Sequence, residues 1–259
     1  LETWGLVFYR GAIPFLVVLL GMLIIYRLNF FKLLIGNSIY GIGYIITFSL
    51  TNITFVLSIQ NTNVANTLVM IALAPMLSAI FGTIFLKEKP DRNTIFAIII
   101  TFLSVLYIFY DSIKVGNILG DILGFVTAAG LAAGATIIRA GKEVNLVPSA
   151  VVGKLVVALV ALFFIDSFEL KNNDIYIIPA MCILCVAIPF VLVTIAPRYI
   201  TGAEVNLFFL LETILGPIWV WLVIKEQPSL ETIQGGVVII LTIAIHSFLA
   251  IKKTQLKST

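Results

Sequence analysis

Run after run of about 20 residues nearly free of charge, each closed by a charged or turn-forming cluster, fills this chain from end to end. Hydrocarbon offers the backbone no water, so a segment of that length and polarity crosses a bilayer as a helix that satisfies its own N–H and C=O groups. Nine such spans are expected, at Trp4–Tyr26, Leu33–Ser58, Thr62–Leu86, Asn93–Tyr110, Leu119–Ile138, Leu146–Ile165, Ile175–Ala196, Gly202–Ile224 and Thr232–Ile251. The connections between them are short, leaving no room for a soluble domain. Composition agrees: 61% of residues are hydrophobic and 11% charged, against roughly 25% charged in a soluble domain. The expected fold class is an all-α polytopic membrane protein, with the lipid bilayer as its surroundings.

The charges are sparse and patterned. Net charge is +3, and the 16 Lys and Arg lie mostly between the apolar runs, without the basic domain or interleaved aromatics that nucleic acid requires. Placing alternate loops on alternate sides puts 11 basic residues, from Arg27 and Lys32 to Lys253 and Lys257, on one side. Only Lys114, Lys171 and Lys225 fall on the other. The positive-inside rule makes the first side cytoplasmic, with the C-terminus there and the first residue facing out. A bacterial inner membrane is the expected location. Cys182 and Cys185 form a C-x-x-C inside an apolar run, without a second pair or a His cluster, and read as small core residues. The first run carries Arg10 and is long enough to span, which argues against a cleaved signal peptide.

One phrase is written twice. "FLKEKP" at Phe85–Pro90 and "VIKEQP" at Val223–Pro228 lie 138 residues apart, and aligned without a gap they set Ala65 on Ala203, Lys87-Glu88 on Lys225-Glu226 and Pro90 on Pro228. The charge count puts the first Lys-Glu in the cytoplasm and the second outside, so the two units run in opposite directions. Inversion follows when each repeat has an odd number of spans, and five helices fill the distance. The expected organisation is a repeat over residues 1–112 and a second over 113–259, with a further helix ahead of Leu1 making ten in the parent. Inverted repeats are a recurring architecture of secondary transporters, whose halves exchange conformations to open one site to either side in turn.

"APMLSAIFGTIFLKE", with Pro75 thirteen residues before Glu88, and "LLETILGPIWVWLVIKE" resemble the paired signatures of the drug/metabolite transporter superfamily, EamA type. "FYR" at Phe8–Arg10 is similar to the arginine of that family's second helix. The resemblance covers essentially the whole chain and implies ten helices in two inverted five-helix repeats, cytoplasmic termini, and export or uptake of small metabolites. The chain departs from it at Glu212-Thr213, where the family writes Glu-Pro, its proline being displaced to Pro217.

An ionisable group deep in a span costs a few kcal/mol and must face the bundle interior, a cavity or a partner. At 1.5 Å per residue Glu212 lies roughly 15 Å into its span, Lys154 about 12 Å from the cytoplasmic face and Arg10 about 9 Å from the outer one. Lys154 and Arg10 suit a substrate carboxylate or phosphate. Glu212 suits an amine, a coupling proton or Lys154 itself, in which case the two are a buried ion pair that holds helices in register. Asn37 and Tyr40 in "GNSIYGIGY", Asn66 and Asn206 can bond either a substrate or a neighbouring helix. Tyr44, Phe208 and Phe209 can line an apolar pocket; Trp219 and Trp221 also fit an interfacial belt, and Glu204 an interfacial position. His246 is a lone histidine that reads as packing. Pro75, Pro189 and Pro217 fall inside spans, where each removes a backbone donor. Gly120, Gly124, Gly130 and Gly134 give G-x-x-x-G spacing twice, which suits close helix packing and would also serve a homodimer.

The leading reading is a secondary transporter for a small-molecule substrate, with one acid and two bases fitting an amino acid or related zwitterion and export the favoured direction. An exchanger of phosphorylated or nucleotide-linked metabolites is the alternative. ATP-driven transport lacks a Walker A motif, and an intramembrane enzyme lacks H-E-x-x-H and G-x-S-x-G. A structural or sensing subunit stays open on composition alone, though a duplicated inverted unit argues for transport. No cofactor is implied.

Overall fold

The computed structural model describes residues 2–27, 29, 32–33, 38–87, 92–115, 117–170, 173–195, 219, 221–223, 225 and 229–258. Among these no strand occurs. The helices are α1 (Thr3–Tyr26), α2 (Ser38–Asn61), α3 (Val64–Ile71), α4 (Ala74–Leu86), α5 (Arg92–Val115), α6 (Ile118–Ala140), α7 (Val147–Leu162), α8 (Asp174–Met181), α9 (Ile188–Ile195) and α10 (Leu230–Ser258). Among the described residues, five stretches are long and apolar enough to cross a membrane: Thr3–Tyr26, Ile39–Asn61, Asn66–Leu86, Ile118–Ala140 and Asp174–Ile195. Ile95–Ile108, Val147–Leu162 and Leu230–His246 are shorter apolar helices. Eight of the nine expected spans thus have a helix, and Gly202–Ile224 lies almost wholly outside the described residues.

Two of the expected spans depart from a regular α-helix, each beside a proline that withholds a backbone donor. Within Thr62–Leu86 the helix stops at Ile71 and restarts at Ala74, with Pro75 in its first turn. Pro75 has no N–H to give the Ile71 carbonyl, so the chain turns through Ala72 and Leu73. Asn63 caps the first piece, its side chain accepting from the Asn66 N–H at 3.0 Å. Within Ile175–Ala196 the turn widens to an i to i+5 pattern over Cys182–Ala187 before Pro189. That wider turn absorbs the missing donor without ending the rod.

The two lysines of the duplicated phrase share a positive φ. Lys87 ends α4 in the left-handed region at φ 57°, its N–H bonded to the Gly82 carbonyl, and Lys225 has φ 63°. A non-glycine residue enters the positive-φ region at a cost of about 1 kcal/mol, and both equivalent lysines carry a positive φ.

The chain forms two compact units, each drawing on both halves of the sequence. One contains residues 1–56 and 137–199, the other residues 57–136 and 200–259. In the first, α1 lies against α7 and against the wide turn, and α9 against α7. Gly11 makes the α1–α7 contact close, since a Cβ there would sit 2.7 Å from the Ala158 nitrogen and 2.9 Å from the Lys154 carbonyl oxygen. In the second unit α10 packs on α5 and α3, and α4 on α5, around Met70, Met76, Ile108, Ile239 and Ile243. There Gly120 brings α6 onto the α2–α3 connection, where a Cβ would come within 2.5 Å of the Thr62 nitrogen. The outward faces are apolar, as lipid requires: Ile24, Phe102, Leu103 and Leu241 are all exposed.

Gly11→Ala should lower the unfolding free energy in detergent micelles by about 1–3 kcal/mol, because the new methyl meets backbone that cannot rotate away. Gly21→Ala, in the same helix with nothing within 4 Å of its Cβ position, should be neutral or raise stability by up to about 1 kcal/mol through helix propensity.

Candidate functional site

The first unit holds a polar layer between two apolar clusters. Val7, Val56, Val157 and Ala161 pack together toward the Thr3 end of α1, while Met22, Tyr44, Leu146, Val147, Ala150, Val151, Ala187 and Phe190 pack toward its Tyr26 end. Between them stand Lys154 of α7, Arg10 of α1 and Asn52 of α2. Lys154 is 1% exposed, midway along its helix.

Helical spacing on α2 builds the wall that faces Lys154. Phe48, Ser49, Asn52 and Val56 recur at steps of one, three and four, which sets them on one stripe. That stripe meets α7 at Gly153, where a Cβ would lie 2.8 Å from Phe48 Cδ1. The missing side chain lets the Phe48 ring slide beside Lys154. Ser49 Oγ ties the two helices by donating to the Gly153 carbonyl at 3.0 Å.

The ammonium of Lys154 donates to Asn52 Oδ1 and faces two rings, 5.3 Å from the Phe48 centroid and 5.5 Å from that of Phe190. The Arg10 guanidinium lies 5.4 Å from the Phe55 centroid. Tyr44 continues the aromatic wall, its ring 5.5 Å from Phe48 and its hydroxyl 3.3 Å from Thr194 Oγ1. Cys182 borders the layer through a hydrogen bond from its thiol to the Tyr9 carbonyl at 3.4 Å. Both cysteines are free thiols, Cys182 buried and Cys185 exposed. Among the described residues, the partners of Lys154 are therefore ring faces and an amide oxygen. Cation–π contacts offset part of the desolvation cost, by about 0.5–2 kcal/mol each. What they do not supply is a full negative charge.

The second unit has its own buried polar cluster. Asn66 Nδ2 donates to Asp121 Oδ1 at 3.5 Å and to Thr62 Oγ1 at 3.4 Å, while its Oδ1 accepts from the Thr232 hydroxyl. Ser58 Oγ shares a hydrogen bond with Thr67 Oγ1 at 2.7 Å and donates to the Gly120 carbonyl at 2.7 Å. These bonds join α2, α3, α6 and α10.

Of the residues singled out from sequence, the structure brings Arg10, Lys154 and Tyr44 into the first unit's polar layer and its wall. Tyr40 lies one turn further along α2, exposed, with its ring against Gly141. Asn66 belongs to the second unit, where its amide is committed to neighbouring helices. Trp219 and Trp221 are exposed. Asn37, Asn206 and Glu212, with Glu204, Phe208, Phe209 and Pro217, lie outside the described residues, and so does any Lys154–Glu212 pair. Sequence reading passed over Asn52, Phe48, Phe190 and Asp121. The signal for Asn52 was its spacing, one turn from Phe48 in an uncharged run, and for Asp121 a lone acid in the first turn of a span.

Five apolar stretches among the described residues are long enough to span a bilayer, and helices of the first unit enclose a desolvated, aromatic-lined cation, as in a polytopic membrane protein. The chain belongs to the EamA-like transporter family, whose model matches residues 1–110 and again 118–248. It is thus a membrane transporter of small molecules, built as two repeats, and the resemblance to the drug/metabolite transporter superfamily is borne out. A solved crystal structure superposes with a TM-score of 0.66 at 14% identity, covering 97% of this chain and 89% of its own, a likeness of fold. Among curated proteins none matches the sequence.

The Asn66–Thr232 bond should show up as helix-to-helix coupling. A double-mutant cycle with Asn66→Ala and Thr232→Val, read as unfolding free energy, is expected to give about 0.6–1.7 kcal/mol of interaction. Additive effects of the two substitutions would assign the bond no net stabilisation.

Proposed function

We propose that this chain is a secondary transporter that exports amino acids or related zwitterions by alternating access between two inverted five-helix repeats, residues 1–112 and 113–259. The membrane is a bacterial inner membrane, with the C-terminus cytoplasmic. The observation that carries the reading is Lys154: buried midway along its helix and held by neutral groups alone among the described residues. A desolvated ammonium in that state gains most from a ligand that brings a full negative charge, and charge-assisted hydrogen bonds are roughly twice as strong as neutral ones. A carboxylate meets that demand. Glu212, one of few acids within a span, is the group assigned to the substrate amine. Repeats of opposite orientation supply the means of exchanging access.

A second reading has a specific observation in its favour. Gly11 brings α1 into backbone contact with α7 at Lys154, so the helices bearing Arg10 and Lys154 touch next to both cations. Two cations on adjoining helices suit a doubly charged group, and hence an exchanger of phosphorylated metabolites.

Counterflow in proteoliposomes decides between them, with labelled amino acids in one arm and labelled phosphate monoesters in the other. Accelerated exchange of amino acids, reduced at least about tenfold by Lys154→Met and by Glu212→Gln, is the expected outcome. Lys154→Met should leave thermal stability unchanged or higher, since an apolar side chain of similar volume replaces a buried charge. Exchange confined to phosphate esters would select the second reading, and exchange in neither arm by folded protein would overturn both. Uptake into inside-out vesicles tests the assigned direction.

A further inference from the structure

Asn52 is the one polar side chain that bonds the Lys154 ammonium among the described residues, and its orientation is fixed by its own helix. Its Nδ2 donates at 2.7 Å to the Phe48 carbonyl, four residues back along α2. The amide cannot turn over without breaking that bond, so Oδ1 points away from α2 and accepts from Lys154. The same turn of helix places the Phe48 ring over the ammonium. One face of α2 thus presents Lys154 with an amide oxygen beside a ring. That is a weak, neutral copy of what a carboxylate on an apolar body would present.

An amide oxygen carries partial charge and a carboxylate full charge, and in a low-dielectric interior the difference is large. A carboxylate arriving at Lys154 outcompetes the Asn52 oxygen. When it leaves, Asn52 takes the ammonium back, and the empty carrier avoids an unsatisfied buried cation. We infer that Asn52 is a built-in stand-in for the substrate's carboxylate, a specificity-determining residue that holds Lys154 in the empty carrier and yields it to a carboxylate-bearing ligand. The inference rests on the reading of Lys154 as the substrate's anion site. It explains the choice of side chain at position 52: aspartate would match the ligand's charge and keep the lysine, and an apolar residue would leave the ammonium with rings alone.

Two substitutions should shift ligand affinity in opposite directions. The probe is butyrate, with butyramide as its uncharged counterpart, titrated calorimetrically onto the full chain in lipid nanodiscs. The parent should bind butyrate in preference to butyramide, and Lys154→Met should abolish that preference. Asn52→Asp should weaken butyrate binding at least about tenfold, because a permanent carboxylate now competes. Asn52→Leu should tighten it by about threefold or more, because the neutral competitor is gone.

A merely structural role for Asn52 would move both variants the same way, and that result overturns the inference. So does a parent that fails to distinguish butyrate from butyramide, or a folded Asn52→Asp protein with parental affinity. If Asn52→Asp does not fold, Asn52→Leu decides alone: tighter binding supports the inference, and unchanged or weaker binding overturns it. Absence of amino acid counterflow with this butyrate pattern intact would remove the zwitterion reading and leave the stand-in role of Asn52 standing.

Discussion

In hydrocarbon a backbone N–H or C=O has no water to turn to, and each must find its partner within the protein. That requirement turns the long apolar runs of this chain into helices and dictates how they are interrupted. Where Pro75 and Pro189 withhold a donor, the chain does not fray. It turns through Ala72 and Leu73 in one case and widens through Cys182–Ala187 in the other. The same scarcity of water sets the energetic scale for side chains, which is why a single lysine among apolar residues is costly to bury.

Burial of Lys154 depends on what its neighbours lack. Gly153 has no side chain, so Phe48 reaches past it to the ammonium, and Gly11 lets α1 come into backbone contact with the turn of α7 that bears the lysine. Among the described residues, the groups that contact the cation are two rings and an amide oxygen, which tolerate it without neutralising it. A carboxylate fixed in the same place would have made a closed ion pair. On the function proposed above, the neutral set keeps the charge available to a ligand that must bind and also leave.

The second unit shows the opposite use of polarity. Asn66, Asp121, Thr232, Ser58 and Thr67 spend their hydrogen bonds on one another and on backbone, joining four helices that have no hydrophobic drive to associate in lipid. Residue type alone does not separate the two cases. Asn52 and Asn66 are both asparagines in apolar helices, yet one meets an ammonium beside aromatic rings and the other a threonine and a carboxylate.

Much of this was legible in order along the chain. Hydropathy located helices at eight of the nine expected spans, since the cost of burying charge in lipid acts residue by residue. The repeat was legible because the same Lys-Glu-x-Pro phrase closes an apolar run twice, 138 residues apart, and both of its lysines carry a positive φ. Arg10 and Lys154 were legible as costly cations, because their depth follows from counting residues along a helix. What depended on tertiary structure was everything set by which helix faces which. Asn52 acquires its meaning only when the Phe48 stripe of α2 meets α7 at Gly153, a contact between residues about a hundred positions apart. Sequence by itself determined that this chain lives in a membrane as a bundle of helices with charges it must explain; the packing of α1, α2, α7 and α9 decided what surrounds one of those charges, because pairing in a bundle depends on the shapes of faces that no single segment contains.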